Sequence, residues 1–346
     1  MGNINLLIAN LISLIIIFMS IAFLSFFRKK DCVKKLFRLY SEKHIYEELD
    51  DRNENTKVFL NKKKQILKLY KIIKLTKTVK IFIFSYPSEY EYLGLGICKH
   101  IKFNGLNKEG KIKGKWNNHD DKEKDLNQIF RSYTPIYIDK KNKHVHFVIR
   151  IYYPDDNYID GGKMSMQLNN LKYNDKLEIS GPFGLLEYKG NNEFVHISKS
   201  IKNKKHIVMI AGGTGMTPFF RLINHLLLTE NKEGNNLIYI TFIYANRNEE
   251  EILLKPIFDE YESKFENIKI VYSIDKCLDE TKKNLFENVG FINEELLKKY
   301  VLKYQKLDIK INSDDTLILL CGPPPMTTFL QKILRDLNQM ENIITL

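Results

Sequence analysis

The sequence predicts an α+β protein of two domains behind an N-terminal transmembrane helix: an antiparallel β-barrel comes first and an α/β domain on a parallel sheet second. Three observations carry that expectation. Residues 1–30 hold a long uncharged apolar run, residues 66–200 read as short strands broken by Gly and Pro, and residues 201–346 alternate buried-type strands with helical patterns. A chain of 346 residues is long enough for two cores. A hydrophobic content of 44% with 12% aromatics excludes wholesale disorder.

Leu6 to Phe27 runs 22 residues without a charge. At about 1.5 Å per residue, such a helix matches a hydrocarbon core of about 30 Å. A cleaved leader would start basic and end in small residues, whereas here Phe23, Phe26 and Phe27 precede Arg28, Lys29 and Lys30. Positive charge after the segment puts the rest of the protein on the cytosolic side. Residues 31–65 are polar and without periodicity, and read as a basic tether. Between Arg28 and Lys80 there are 17 Lys and Arg against 7 Asp and Glu, so ten of the net +12 charges sit there. A basic collar suits anionic lipid head groups. It is not the basic face of a nucleic-acid-binding domain, and no nucleic-acid partner is expected. Cys32, Cys98, Cys277 and Cys321 lie far apart without a CxxC pair, which argues for reduced thiols and against a disulfide framework or a metal site.

In residues 66–200, Lys80–Phe84 reads as a strand ending at Tyr86-Pro87, and Gly94, Gly96, Asn104-Gly105, Gly161-Gly162 and Gly181-Pro182 punctuate further segments. Val145, Phe147, Ile149 and Ile151 alternate with His146, Val148, Arg150 and Tyr152, giving one strand an apolar face and a mixed face. Strand after strand with few helices predicts a small antiparallel barrel. Asn104–Gln128 reads as a loop insertion, and its Trp116, the only Trp, as a local packing anchor.

From residue 201 the apolar runs Ile207–Ile210, Leu237–Tyr244, Ile268–Ile274 and Thr316–Leu320 alternate with helical patterns near Phe219–Leu228, Glu250–Lys264, Glu294–Leu302 and Met326–Met340. That order predicts a parallel sheet covered on both faces, with ligands beyond the carboxy ends of its strands. Two strings occupy that position. In GGTGMTP, Gly212, Gly213 and Gly215 let backbone approach a ligand, and the helix that follows offers free N–H groups to a pyrophosphate. In CGPPPM, the prolines predict a rigid concave loop, and Cys321 faces the crevice. A third string, RSYT, holds a cation for phosphate charge (Arg131), an aromatic plane for stacking on an isoalloxazine ring (Tyr133) and a hydroxyl (Thr134). Each string has a plain packing explanation by itself; together they describe a flavin site followed by a nicotinamide site.

The order RSYT, VIRIYY (Val148–Tyr153), GGKMS (Gly161–Ser165), GPFG, GGTGMTP and CGPPPM resembles the NADH-cytochrome b5 reductase family, a branch of the ferredoxin-reductase-like flavoproteins, from about Leu69 to about Met340. The resemblance implies a Greek-key β-barrel FAD domain over 66–200 and an NAD-binding α/β domain over 201–346. It implies that Arg131, Ser132, Tyr133 and Thr134 hold FAD, with Thr134 near flavin N5. Val148, Arg150 and Tyr153 match positions on the following strand, Arg150 standing where the family has Lys and contacting the nicotinamide nucleotide. Lys163, Met164 and Ser165 match the FAD diphosphate turn, and Thr217 a further flavin contact. Gly212, Gly213, Thr214 and Gly215, with Gly322, Pro323 and Met326, frame the nucleotide. His100 matches a family His that helps move a proton, and Cys321 shapes the nicotinamide pocket.

Asp275, in YSID, matches a family Asp beside the adenine ribose, where a carboxylate accepts hydroxyl hydrogen bonds and repels a 2′-phosphate. NADH is therefore the expected donor, with Arg247 and Lys276 as partial offsets. The family resemblance implies an enzyme passing electrons from NADH through FAD to cytochrome b5 or a similar haem protein, on the endoplasmic reticulum or mitochondrial outer membrane. A quinone or ferric-chelate reductase using the same cofactors, or an inactive tethered binding protein, are the other readings. The sequence departs from the family at Ser132, where Pro is usual, in the long 104–128 insertion, and in ending without an aromatic tail.

Overall fold

The computed structural model describes residues 34, 38–40, 56–230, 237–337 and 342–346. The chain divides into Met1–Glu42 and Lys43–Leu346, and every element below belongs to the second unit. The apolar run Leu6–Phe27 lies outside the described residues, and among those described no helix is long and apolar enough to cross a membrane.

The first domain is built on β1 (Lys64–Lys74), β2 (Val79–Ser85), β3 (His100–Leu106), the short hairpin β4 (Lys115–Trp116) and β5 (His119–Asp120), β6 (Gln128–Tyr133), β7 (Tyr137–Asp139), β8 (His144–Arg150) and β9 (Lys176–Phe183). Seven of these form one sheet in the order β6-β3-β9-β1-β2-β8-β7, every neighbouring pair antiparallel. Its edge strands β6 and β7 are consecutive in the chain and joined by residues 134–136, a link that spans only about 10 Å. The sheet must therefore curl until its edges approach. Its inside is filled by Phe84, Phe103 and Phe147, whose ring centroids lie 4.8–6.1 Å apart edge to face. The alternation on β8 is observed: Val145, Phe147, Ile149 and Ile151 all enter this core. Phe59 and Leu60 are buried there too, tied by backbone bonds to Tyr92 and Leu93, so the folded body begins within the stretch read as tether.

A three-stranded sheet of β10 (Leu186–Gly190), β11 (Glu193–His196) and β12 (Lys199–Lys202) leads to the second domain. There β13 (His206–Gly212), β14 (Tyr239–Asn246), β15 (Ile268–Ile274), β16 (Asn288–Val289), the small pair β17 (Lys303–Tyr304) and β18 (Ile309–Lys310), β19 (Thr316–Cys321) and β20 (Ile343–Thr345) follow. Six of them form a wholly parallel sheet in the order β16-β15-β14-β13-β19-β20. The chain moves outward from β13 to β16 and then returns to the other side of β13 for β19. The loops after β13 and β19 thus part at a topological switch point, where such sheets open a crevice.

Helices Thr217–Leu228, Lys255–Lys264, Glu294–Val301 and Pro324–Asp336 cover the sheet. Thr217–Leu228 is buried along nearly its whole length, since it also packs against the first domain. Its Arg221 donates to the carbonyls of Leu95 (3.1 Å) and Gly96 (3.4 Å). Near its end His225 Nε2 lies 2.9 Å from Glu230, which also accepts from the Tyr188 hydroxyl. Buried polar ties of this kind hold two domains in one orientation more specifically than apolar contact alone.

Candidate functional site

One cleft of about 1370 Å³ runs between the domains, lined from the first by β6, β8, Gly161, Gly162 and the first turn of the helix Lys163–Asn169 and from the second by the loops after β13, β14, β15 and β19. Every sequence-derived site residue except one lines it, including His100, Thr134 and Cys321. The exception is Tyr153, whose hydroxyl instead bonds Asn169 at 3.2 Å. Tyr152 lines the cleft in its place. The reason is strand periodicity: a face carrying Val148 and Arg150 continues to 152, not 153.

The two strand-end loops meet closely. A Cβ on Gly215 would fall 2.3 Å from the carbonyl oxygen of Cys321, so this glycine lets loop approach loop rather than ligand. Gly213 is the position that opens toward a ligand: its φ is +55° and nothing lies within 4 Å of the Cβ direction. The three prolines do not form the expected loop. Pro323 caps the helix and Pro324 and Pro325 begin it, where missing N–H groups cost no helical hydrogen bond.

The cations expected to meet phosphates each hold a carboxylate. Arg131 grips Glu123 through both ends of its fork, at 2.7 and 2.8 Å. The Lys163 ammonium is buried between Asp121 (2.7 and 2.9 Å) and Asn107 (2.9 Å). Arg150 bonds Glu251 across the domain boundary at 2.8 Å. Asp121, Glu123 and Glu251 were not among the sequence-derived residues. The first two come from the 104–128 insertion, which is a docked hairpin rather than a free loop. Trp116 donates to the Gly161 carbonyl at 2.8 Å and lines the cleft, so it is more than a packing anchor within the insertion.

Titration follows from these contacts. The hydrogen bonds from Arg131 hold Glu123 low. Burial, the largest single influence, pushes Asp121 up, but the bonds from Lys163 and the Glu123 N–H and the charges of Lys163 and Arg131 together outweigh it and leave the carboxyl low. Burial, then Lys102 and Lys99, lower His100, which keeps its imidazole neutral at ordinary pH. Burial pushes the Cys321 thiol up to about 12, so this group shapes the cleft as a neutral thiol. Asp275 is raised by partial desolvation, with Arg247 opposing. Its N–H bonds the Asn246 carbonyl at 2.9 Å, fixing the loop after β15 against that after β14.

The chain matches an oxidoreductase FAD-binding domain over residues 66–188 and an oxidoreductase NAD-binding domain over residues 209–332. It is 33% identical to NADH-cytochrome b5 reductase 2 of Xenopus laevis, covering 72% of this chain and 76% of that protein. With NADH-cytochrome b5 reductase 3 of Rattus norvegicus the identity is 32% over 72% and 74%. The chain belongs to the NADH-cytochrome b5 reductase family. It is an FAD- and NAD-binding oxidoreductase of that type. The same body recurs inside larger enzymes: nitrate reductase [NADH] 1 of Oryza sativa is 32% identical over 74% of this chain, which spans 25% of the rice protein's length. The cytochrome b5 reductase domain of Ulva prolifera nitrate reductase superposes with a TM-score of 0.67 at 27% identity, over 83% of this chain and 99% of that one.

The cleft fits both cofactors of a b5 reductase. Its volume exceeds that of a drug-sized pocket, leaving room for two nucleotides. Gly162 brings backbone close to the wall, since a Cβ there would meet Ser165 Oγ at 2.4 Å. Among the described residues no cluster of His, Cys, Asp and Glu is grouped to hold a metal ion.

Proposed function

We propose that this b5 reductase relative takes electrons from NADH and delivers them singly to cytochrome b5 or a similar haem protein, from a membrane that its N-terminal segment anchors, with the catalytic body in the cytosol. The membrane is that of the endoplasmic reticulum or the mitochondrial outer membrane. The observation that carries the redox reading is the convergence of β6 and of the loops after β13 and β19 on one interdomain cleft. Flavin, when bound, supplies the chemistry of accepting an electron pair and releasing electrons one at a time.

The protein's own contribution is position. Arg131 and the first turn of the helix Lys163–Asn169 would hold the flavin nucleotide, Tyr133 offers an aromatic face braced by Phe103 at 4.5 Å, and Thr134 presents a hydroxyl beside it. Gly213, Cys321 and Pro323 leave a flat slot for the nicotinamide. Neutral His100 can accept a proton at the cleft wall. Asp275 favours a ribose with free hydroxyls over a 2′-phosphate. The names of the b5 reductase relatives and the basic tether residues support the haem acceptor and the membrane site.

The test is anaerobic bleaching of the flavin absorbance by NADH and by NADPH in parallel, followed by turnover with cytochrome b5 and with a neutral dye at rising salt. NADH should bleach the band faster, and salt should slow the haem protein more than the dye. A protein purified without a flavin band would sink the redox reading; equal turnover losses in salt would sink charge-guided docking.

A further inference from the structure

Resting on the flavin-binding reading of this cleft, we propose that Glu123 is a built-in competitor for the flavin diphosphate: it occupies the Arg131 fork in the flavin-free protein and yields that fork when FAD binds. The insertion that carries it sits astride the phosphate end of the cleft by contacts that do not involve Arg131. Asp160 accepts from the backbone N–H groups of Lys111 (2.7 Å) and Asn117 (2.6 Å), and its own N–H donates to the Asn117 side chain at 2.8 Å. Trp116 bonds the Gly161 carbonyl, and Lys163 is shut in against Asp121 with its side chain only 3% exposed. These fixings form a pivot that holds with or without Glu123.

The Arg131–Glu123 pair is different in kind. Its side chains are 41% and 27% exposed, on the cleft side of the pivot. A guanidinium fork that matches a carboxylate in two parallel bonds matches a phosphate equally well, and the same two donors cannot serve both. Charge points the same way. Arg131 and Lys163 are balanced by Asp121 and Glu123, so the phosphate end of the cleft carries no net attraction for a diphosphate until one carboxylate lets go. Glu123 is the one free to do so: its hydrogen bonds go to the partly exposed Arg131, and it lies 3.6 Å from Lys163, which keeps its shorter bonds to Asp121, whereas releasing Asp121 would strand a buried ammonium. Occupancy of the cleft by flavin is thereby graded by a carboxylate that competes with it for one guanidinium fork.

The experiment measures FAD dissociation constants by flavin-fluorescence quenching on flavin-free wild type, Glu123→Gln, Arg131→Gln and the double variant. Glu123→Gln should bind FAD about tenfold tighter than wild type, and the gain should vanish in the Arg131→Gln background. Unchanged or weaker binding by Glu123→Gln would overturn the proposal, since a carboxylate that merely steadied Arg131 would be missed, not outcompeted. An equal gain in both backgrounds would overturn it as well, by showing a general charge effect. Failure of wild type and all variants to bind FAD would remove the flavin reading itself, and this inference with it.

Discussion

Arg150 of the first domain and Glu251 of the second are joined at 2.8 Å, both side chains largely withdrawn from water at 12% and 20% exposure. The pair pins the mixed face of β8 to the turn after β14, and so sets the width of the cleft there. A guanidinium in that place can also reach phosphate. Replacing Arg150 by Ala should raise KM for NADH about tenfold while kcat falls less, the pattern of lost ground-state binding. Steady-state kinetics with an artificial one-electron acceptor read this directly; an unchanged KM would remove Arg150 from the nucleotide site.

Arg131→Ala should cost flavin rather than turnover per flavin. Losing a charge-assisted phosphate bond weakens binding by about 1.5–3 kcal/mol, or about 10–100-fold. The protein should purify with a reduced ratio of flavin to protein absorbance. Full occupancy would contradict the phosphate role.

Cys321→Ala should slow reduction by NADH in stopped flow while leaving flavin bound, because the side chain shapes the slot and carries no charge. With its pKa near 12 the thiol stays protonated at neutral pH, so iodoacetamide should alkylate it slowly below about pH 10. Rapid alkylation at pH 7.5 would refute the raised pKa. The sign of the linkage follows: burial raises the folded pKa above that of a free thiol, about 8.5, so the stabilisation is complete below that pH and is lost as pH climbs toward 12.

Asp275→Ala should relax donor choice. Without the carboxylate, Arg247 faces the ribose unopposed, and the NADPH-to-NADH ratio of kcat/KM should rise about tenfold. A ratio that does not move would place discrimination elsewhere.

Phe103→Ala tests the barrel core and the aromatic face together. Phe103 contacts Phe84, Phe147 and Tyr133, so its truncation should cost about 3–5 kcal/mol in urea unfolding. It should also loosen flavin by freeing Tyr133. A loss below about 1 kcal/mol would mean the site collapses around the gap.

Sequence reasoning reached the parallel sheet and its crevice because the strands are continuous apolar runs and the loops after β13 and β19 carry glycine and proline at fixed strand ends. It read the alternation of this strand through Tyr152 on the mixed face, but carried the family match to Tyr153, one residue off that face. The carboxylates were invisible. Asp121 and Glu123 lie in a polar stretch without periodicity, 42 and 8 residues from the cations they hold, and Glu251 is 101 residues from Arg150. Ion pairs made only by tertiary folding leave no local pattern. Trp116 was found as a lone aromatic, but its bond to Gly161 depends on where the hairpin docks.

The near-collision of Gly215 with the Cys321 carbonyl has a mechanical corollary. The two strand ends cannot be retuned one at a time: any bulk added at position 215 must push the neighbouring strand's terminus, and with it the sulfur, outward. Room for change in this cleft therefore lies at its rim, at residues such as Asp275 and Arg247, where side chains can vary without moving the floor.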